Sequence, residues 1–303
     1  MKRSFSSALL QASLLDALLG EPPSAVHPVI WMGRWLTWGR QHAPSGDGAR
    51  FVFGAVWVVM GGVLSAIAGW VTKRLVGEEV ALWSVMAWRA LWDASGEVEA
   101  ALVAGDLEEA RRLLAWHLVS RDTSTLSERE VAESAIESVA ENLTDSWVAL
   151  LLAYAVGGIP LAWGYRFLNT ADAMWGYRDA EREWLGKAAA RLDDAANWLP
   201  ARFAALMLIL LGGPNAARTA WREQHQTPSP NGGWTMAAMA GALNTTLSKP
   251  GVYVLRGGEQ PADGAMIRRA RWLLTGACVL TVVIVAALTA VPLILGEDRP
   301  SSH

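Results

Sequence analysis

FVFGAVWVVMGGVLSAIAGWV, residues 51–71, contains no charged side chain. An α-helix rises 1.5 Å per residue, so about 20 apolar residues cross the ~30 Å hydrocarbon layer of a bilayer. This stretch is long enough, and a second uncharged run, residues 272–295, is longer still. Together they set the expected fold class: all-α, a polytopic integral membrane protein of transmembrane, re-entrant and amphipathic helices, forming one membrane-embedded domain over residues 1–303. Arg268, Arg269 and Arg271 precede the second run, and Glu297 and Asp298 follow it. Basic residues stay on the cytoplasmic side, which places the start of that run inside and the tail outside.

Composition agrees with a membrane setting. Charged residues make up 18% of the chain, against ~25% in an average soluble domain. Seventeen Trp stand beside four Tyr and five Phe. Trp concentrates where an apolar ring meets the headgroup layer; a Trp-rich core is the alternative. The net charge of −3 offers no broad basic surface, so no nucleic-acid partner is expected. Cys278 stands alone, cannot form an internal disulfide, and reads as a small core or lipid-facing residue. The apolar stretch after Lys2 and Arg3 carries Asp16 and lacks a small-residue cleavage site, so it is expected to be retained.

Three further apolar stretches are weaker. Residues 6–20 are short and include Asp16. Residues 146–168 are interrupted by Gly157, Gly158 and Pro160. Residues 203–213 fall below spanning length. Broken apolar segments are tolerated in membranes where they line a protein cavity. Residues 83–119 predict two amphipathic helices, with Asp106 as the N-cap of the second. Residues 128–145 predict one helix and 179–197 another. Residues 213–215, 227–233 and 256–258 read as loops. No window alternates long enough to predict a sheet.

Glu133, Glu137, Glu141 and Asp145 recur every four residues, which makes one acidic stripe along a helix. No Lys or Arg lies between Glu130 and Tyr165 to relieve the repulsion. Two readings stand: a solvated acidic face, or a stripe partly neutralised by a divalent cation, for which oxygen ligands suit magnesium. Arg191, Asp193, Asp194, Asn197 and Arg202 form a second cluster, readable as a surface salt-bridge set or as a metal and phosphate site. Asn169, Asp172 and Tyr177 emerge directly after the broken stretch, where polar groups often mark a site. His27 is either a hydrogen-bonded structural residue or a substrate contact. The loop of Ser229 and Asn231 is a plain turn or an anion cradle. The chain contains no phosphate-loop motif, nucleophile elbow or zinc-type spacing.

In order, the chain presents Asp16 to Pro22, His27-Pro28-Val29 and Gly33; Arg121-Asp122-Thr123; Glu137, Glu141, Asn142 and Asp145; Asn169-Thr170, Asp172, Met174 and Gly176-Tyr177; Ala190 to Asp194 with Asn197; Pro200-Ala201-Arg202; Pro228 to Asn231; Ala237 to Leu243; and Tyr253. These blocks resemble the adenosylcobinamide-phosphate synthase (CobD/CbiB) family over most of the chain. Departures are Ser146 and Asn244, where Gly is usual, and Leu150, where Pro is common. The resemblance implies a multi-pass inner-membrane ligase that uses ATP and Mg2+. Its substrates would be a corrinoid, adenosylcobyric acid, and an amino-alcohol phosphate, either aminopropanol phosphate or ethanolamine phosphate. Other expected partners are membrane lipid and either a second copy of the chain or other enzymes of corrinoid assembly.

On this reading Asp193, Asp194, Asn197, Arg191, Arg202, Asn169 and Asp172 serve catalysis. His27, Arg121, Asp122, Tyr177, Ser229 and Asn231 bind substrate or phosphate. Glu137, Glu141 and Asp145 bind metal. The rival classes are a membrane transporter and a non-catalytic membrane sensor. For the segments to meet at one cytoplasm-facing site, some of the weaker apolar stretches are expected not to cross fully.

Overall fold

The computed structural model describes residues 5–177 and 179–296, with side chains to 289. The basic start and the acidic flank at Glu297 and Asp298 lie outside the described residues. Helices come in the order α1 (Phe5–Leu19), α2 (Pro28–Gln41), α3 (Asp47–Val76), α4 (Glu78–Trp83), α5 (Trp88–Val103), α6 (Leu107–His117), α7 (Glu128–Leu143), α8 (Ala149–Trp175), α9 (Lys187–Ala196), α10 (Trp198–Glu223), α11 (Gly232–Leu243) and α12 (Gly264–Gly296). A π-helical turn, Thr144–Val148, joins α7 to α8. Among the described residues, four helical stretches are long and apolar enough to cross a membrane: Asp47–Val76, Glu128–Trp175, Trp198–Gln226 and Gly264–Thr289. The chain is thus helical and multi-pass, as expected.

The chain divides into two compact units, each assembled from separate segments: residues 1–86, 150–193 and 280–303 in the first, and 87–149 and 194–279 in the second. In the first unit, α3 carries Gly61, Ser65 and Gly69 at four-residue spacing, all buried on one face. Aromatic residues of α8 occupy the notches this leaves. A Cβ at Gly61 would lie 2.1 Å from Phe167 Cζ, and one at Gly69 would lie 2.6 Å from Trp163 Cγ. Without water to drive helix association inside lipid, such close packing of small against large residues holds helices together. Trp163 also donates to Ala81 O at 2.8 Å, which fixes α8 to α4.

In the second unit α10 packs on α11. Gly241 lets the backbones approach, because a Cβ there would meet Asn215 O at 2.6 Å. Asn215 Nδ2 bonds Gly241 O at 2.8 Å. Asp106 caps α6 as the sequence predicts, accepting from Glu109 N at 3.0 Å. Cys278 is buried, and its carbonyl accepts from Trp147 Nε1 at 3.3 Å. Asn244 ends α11 in the left-handed region at φ 55°. Asn tolerates that conformation better than other non-glycine side chains, which suits it to a helix end of the kind Gly most often closes.

Three expectations are corrected. The 203–213 stretch is part of a longer helical run, α10, within which Gly213 leaves helical geometry (φ 74°) just before Pro214, so that two helices meet across a kink at the expected break. The 179–197 helix begins only at Lys187. Before it, Asp179 Oδ1 accepts from the backbones of Glu181 and Arg182, a local alternative to helix. A two-stranded antiparallel sheet also forms, β1 (Thr246–Lys249) and β2 (Tyr253–Arg256), pairing Leu247 with Leu255 and Ser248 with Val254. Its strands are too short to show a period. Pro250 and Gly251 (φ 72°) carry the turn between them, closed by Val252 N to Lys249 O at 2.9 Å. The other weaker stretches become α1, a 15-residue apolar helix, and α8, kinked at Gly158.

Gly61→Ala should lower stability by about 1–3 kcal/mol, the usual cost of overpacking. Gly62→Ala, whose Cβ would lie 4.0 Å from Phe167, should not. Thermal unfolding midpoints in detergent check the pair; equal midpoints would remove the notch as an organising contact.

Candidate active site

Helix α7 starts with a capping box: Ser127 N donates to Glu130 Oε2 at 2.8 Å, and Glu130 N to Ser127 Oγ at 3.3 Å. From Val131 to Ala140 every residue is buried. The first half of the acidic stripe is therefore not a solvated face: Glu133 is 1% exposed and Glu137 6%, whereas Glu141 is exposed and Asp145 half-buried. Burying a carboxylate is costly unless its oxygens are hydrogen-bonded or paired, so each member has to be accounted for.

Glu133 is fully engaged. Its Oε1 accepts from Arg129 Nε at 2.6 Å, and its Oε2 from Ser248 N at 3.0 Å and from the Ser248 hydroxyl. This ties the β-hairpin to α7. One turn on, Glu137 presents Oε1, buried and without a hydrogen-bond partner among the described residues. The Tyr253 hydroxyl lies beside this carboxylate and also reaches Met236 Sδ at 3.7 Å. Burial, then the charges of Glu137 and Glu141, push the Tyr253 hydroxyl above its ordinary range; Arg121 opposes them. Tyr253 accordingly remains a proton donor at neutral pH. Arg121 approaches α7 through Nη2, which donates to Ser134 Oγ at 2.7 Å.

Glu141 lies against the start of α11, where a Cβ on Gly232 would be 3.0 Å from its Oε1. Asp145, in the π-turn, accepts from Asn197 Nδ2 at 3.2 Å. Asn231 donates from Nδ2 to Asp194 O at 2.8 Å and accepts from Arg202 Nη1 at 3.3 Å. Ser229 Oγ accepts from Asn231 N and Gly232 N, both at 3.2 Å. The Arg202 guanidinium stacks on Trp198 at 4.3 Å and on Trp234 at 5.3 Å. The second unit thus gathers Arg121, Glu137, Glu141, Asp145, Asp194, Asn197, Arg202, Ser229 and Asn231 of the expected residues. Tyr253 belongs with them as a side chain that the spacing of charges did not indicate; its place in a motif block was the available signal.

Among the described residues, no group of three His, Cys, Asp or Glu side chains could hold a metal ion. Glu137 and Asp145 are eight residues apart, about 12 Å along a helix, so one ion cannot draw on the whole stripe. Asp122 is exposed and forms a local turn, its Oδ1 accepting from Ser124 N at 2.9 Å, a bond that holds its carboxyl below the usual range.

The remaining residues belong to the first unit. His27 caps α2, its Nδ1 accepting from Val29 N at 3.2 Å, while its Nε2 faces Glu21 at 3.5 Å. His27, chiefly by hydrogen bonding, and Arg166 by its charge hold the Glu21 carboxyl below its ordinary range against the opposing effect of burial. Asn169 and Asp172 lie one turn apart on α8, and Tyr177 follows it, stacked under Arg182 at 4.1 Å. Helix α9 carries exposed Arg191 and buried Asp193, and the division between the units falls after Asp193.

The family model described as CobD/Cbib protein matches residues 9–274. A Methanothermobacter thermautotrophicus protein named "Probable cobalamin biosynthesis protein CobD" is 39% identical over 270 residues, 85% of this chain and 88% of its own length. The cobalamin biosynthesis protein CobD of Photorhabdus laumondii is 38% identical over 85% of this chain and 86% of its own. The cobalamin biosynthesis protein CbiB of Salmonella typhimurium is 37% identical over 80% and 82%. No solved structure matches. With a family match across most of its length and relatives this similar over four-fifths or more of both chains, the protein belongs to the CobD/CbiB family.

Proposed function

We propose that this protein is the cobalamin-biosynthesis ligase that joins adenosylcobyric acid, through one propionate, to aminopropanol phosphate or ethanolamine phosphate, giving adenosylcobinamide phosphate. Family membership supports the reaction class. The observation that carries the site is the row of carboxylates on α7, buried at Glu133 and Glu137 and opening to the surface at Glu141, in which Glu137 Oε1 has no hydrogen-bond partner among the described residues. Retaining such a group is costly without a ligand to meet it.

The propionate carboxylate is a poor electrophile, and phosphoryl transfer from ATP is the chemistry that activates it. Magnesium is commonly held by one or two carboxylates, with phosphate and water oxygens completing its shell. Glu141 and Asp145, one helical turn apart, fit that requirement without a three-ligand cage. Asn197 orients Asp145 through its 3.2 Å bond. Arg121 and Arg202 supply planar guanidinium groups suited to phosphate oxygens. Asp193 and Asp194 serve the charge changes of the reaction. The site faces the cytoplasm, where ATP is available.

Purified protein should form the amide from both substrates with ATP and magnesium, and a chelator should stop it; mass analysis of the corrinoid reads the product. Glu141→Gln should abolish turnover while the protein still inserts and folds, and wild-type activity in that variant would sink the metal assignment. Asp193→Asn and Asp194→Asn should each slow the reaction at least ~10²-fold at unchanged expression; loss of stability alone would make the pair structural. With Cys278 replaced, cysteines at 125 and 229 should react with an impermeant reagent from the cytoplasmic side, and labelling from outside would reverse the orientation.

A further inference from the structure

The four carboxylates on the stripe differ in what already satisfies them. Glu133 is occupied on both oxygens by Arg129 and Ser248. Asp145 holds the amide of Asn197. Glu141 abuts the start of α11. Glu137 alone combines near-complete burial, 6% exposed, with an oxygen that has no hydrogen-bond partner. Its neighbourhood is also distinctive. The hydroxyl of half-buried Tyr253 hydrogen-bonds this carboxylate, and its other contact is the long 3.7 Å one to Met236 Sδ. An acceptor oxygen in that position calls for a donor that arrives with a ligand, and a full positive charge would meet it best.

The amino-alcohol phosphate is the substrate that brings such a group. It carries an ammonium at one end and a phosphate at the other, whereas the nucleotide and the propionate offer only acceptors at their reacting ends. We propose that Glu137 Oε1 binds the ammonium of the amino-alcohol phosphate, with the Tyr253 hydroxyl as the second wall of that subsite. The assignment rests on the ligase reading above and deepens it. Glu137 becomes the residue that selects a primary ammonium, separate from Glu141 and Asp145 on the nucleotide side.

Hydroxylamine separates the two roles. It is largely uncharged at neutral pH and traps an activated carboxylate as a hydroxamate, without needing an ammonium subsite. In Glu137→Gln, KM for ethanolamine phosphate should rise about 10- to 100-fold, the scale of losing one charged hydrogen bond, with a smaller change in kcat. ATP-dependent hydroxamate formation on adenosylcobyric acid should persist. A folded Glu137→Gln protein that loses hydroxamate and amide together would overturn the assignment, placing Glu137 at the activation step. Unchanged KM would overturn it as well. If Glu137→Gln fails to fold, Tyr253→Phe decides: a raised KM for ethanolamine phosphate with hydroxamate formation retained supports the subsite, and an unchanged KM refutes it. Failure of the wild type to form either product would instead overturn the ligase reading, and this assignment with it.

Discussion

Burial of helix α7 is the constraint around which the second unit is organised. A helix that buries every residue from Val131 to Ala140 while carrying Glu133 and Glu137 must obtain hydrogen bonds from elsewhere in the chain. Glu133 obtains them from Arg129 on its own helix and from Ser248 on the hairpin. That tie brings the hairpin, and with it Tyr253, onto the acidic row. Arg121 reaches the same helix through Ser134. Removing one member of such a buried network leaves the others unsatisfied, so the hairpin, the 121–123 segment and α7 are expected to stand or fall together.

The first unit is held by a different principle. There the contacts are between small residues and rings: Gly61 and Gly69 on α3 receive Phe167 and Trp163 from α8. Some polar groups are met locally, as with His27 capping α2, and others across the sequence, as with Arg40 Nε donating to Glu181 at 2.8 Å and the Tyr154 hydroxyl donating to Glu78 at 3.1 Å. Outward faces are left apolar, with Val52, Val56, Val59 and Val63 of α3 each more than half exposed. This is the expected surface of a helix that meets lipid rather than water.

The sequence made some of this legible. The α3 and α12 spans could be read because length without charge is a direct physical signature, and the cap at Asp106 because N-capping is local chemistry. The break at Gly213-Pro214 could be read from residue type, but not that helix resumes directly beyond it, where Pro214 opens the next turn. The hairpin was missed because four-residue strands carry no usable period. Spacing exposed the acidic stripe but could not show which carboxylate was already satisfied. That depends on Ser248, 115 residues beyond Glu133, and on Tyr253. His27 could be singled out by type, but its use as a cap for α2 depends on backbone geometry at Val29.

The central claim is that the carboxylates of α7 form the reaction centre and that its metal lies beside Glu141 and Asp145. Anomalous diffraction from the protein crystallised with manganese and a non-hydrolysable ATP analogue tests this most directly. The account predicts an anomalous peak bridging the nucleotide phosphates to Glu141 and Asp145. A well-occupied peak with the nucleotide bound elsewhere, contacting no carboxylate of α7 or the π-turn, would contradict it.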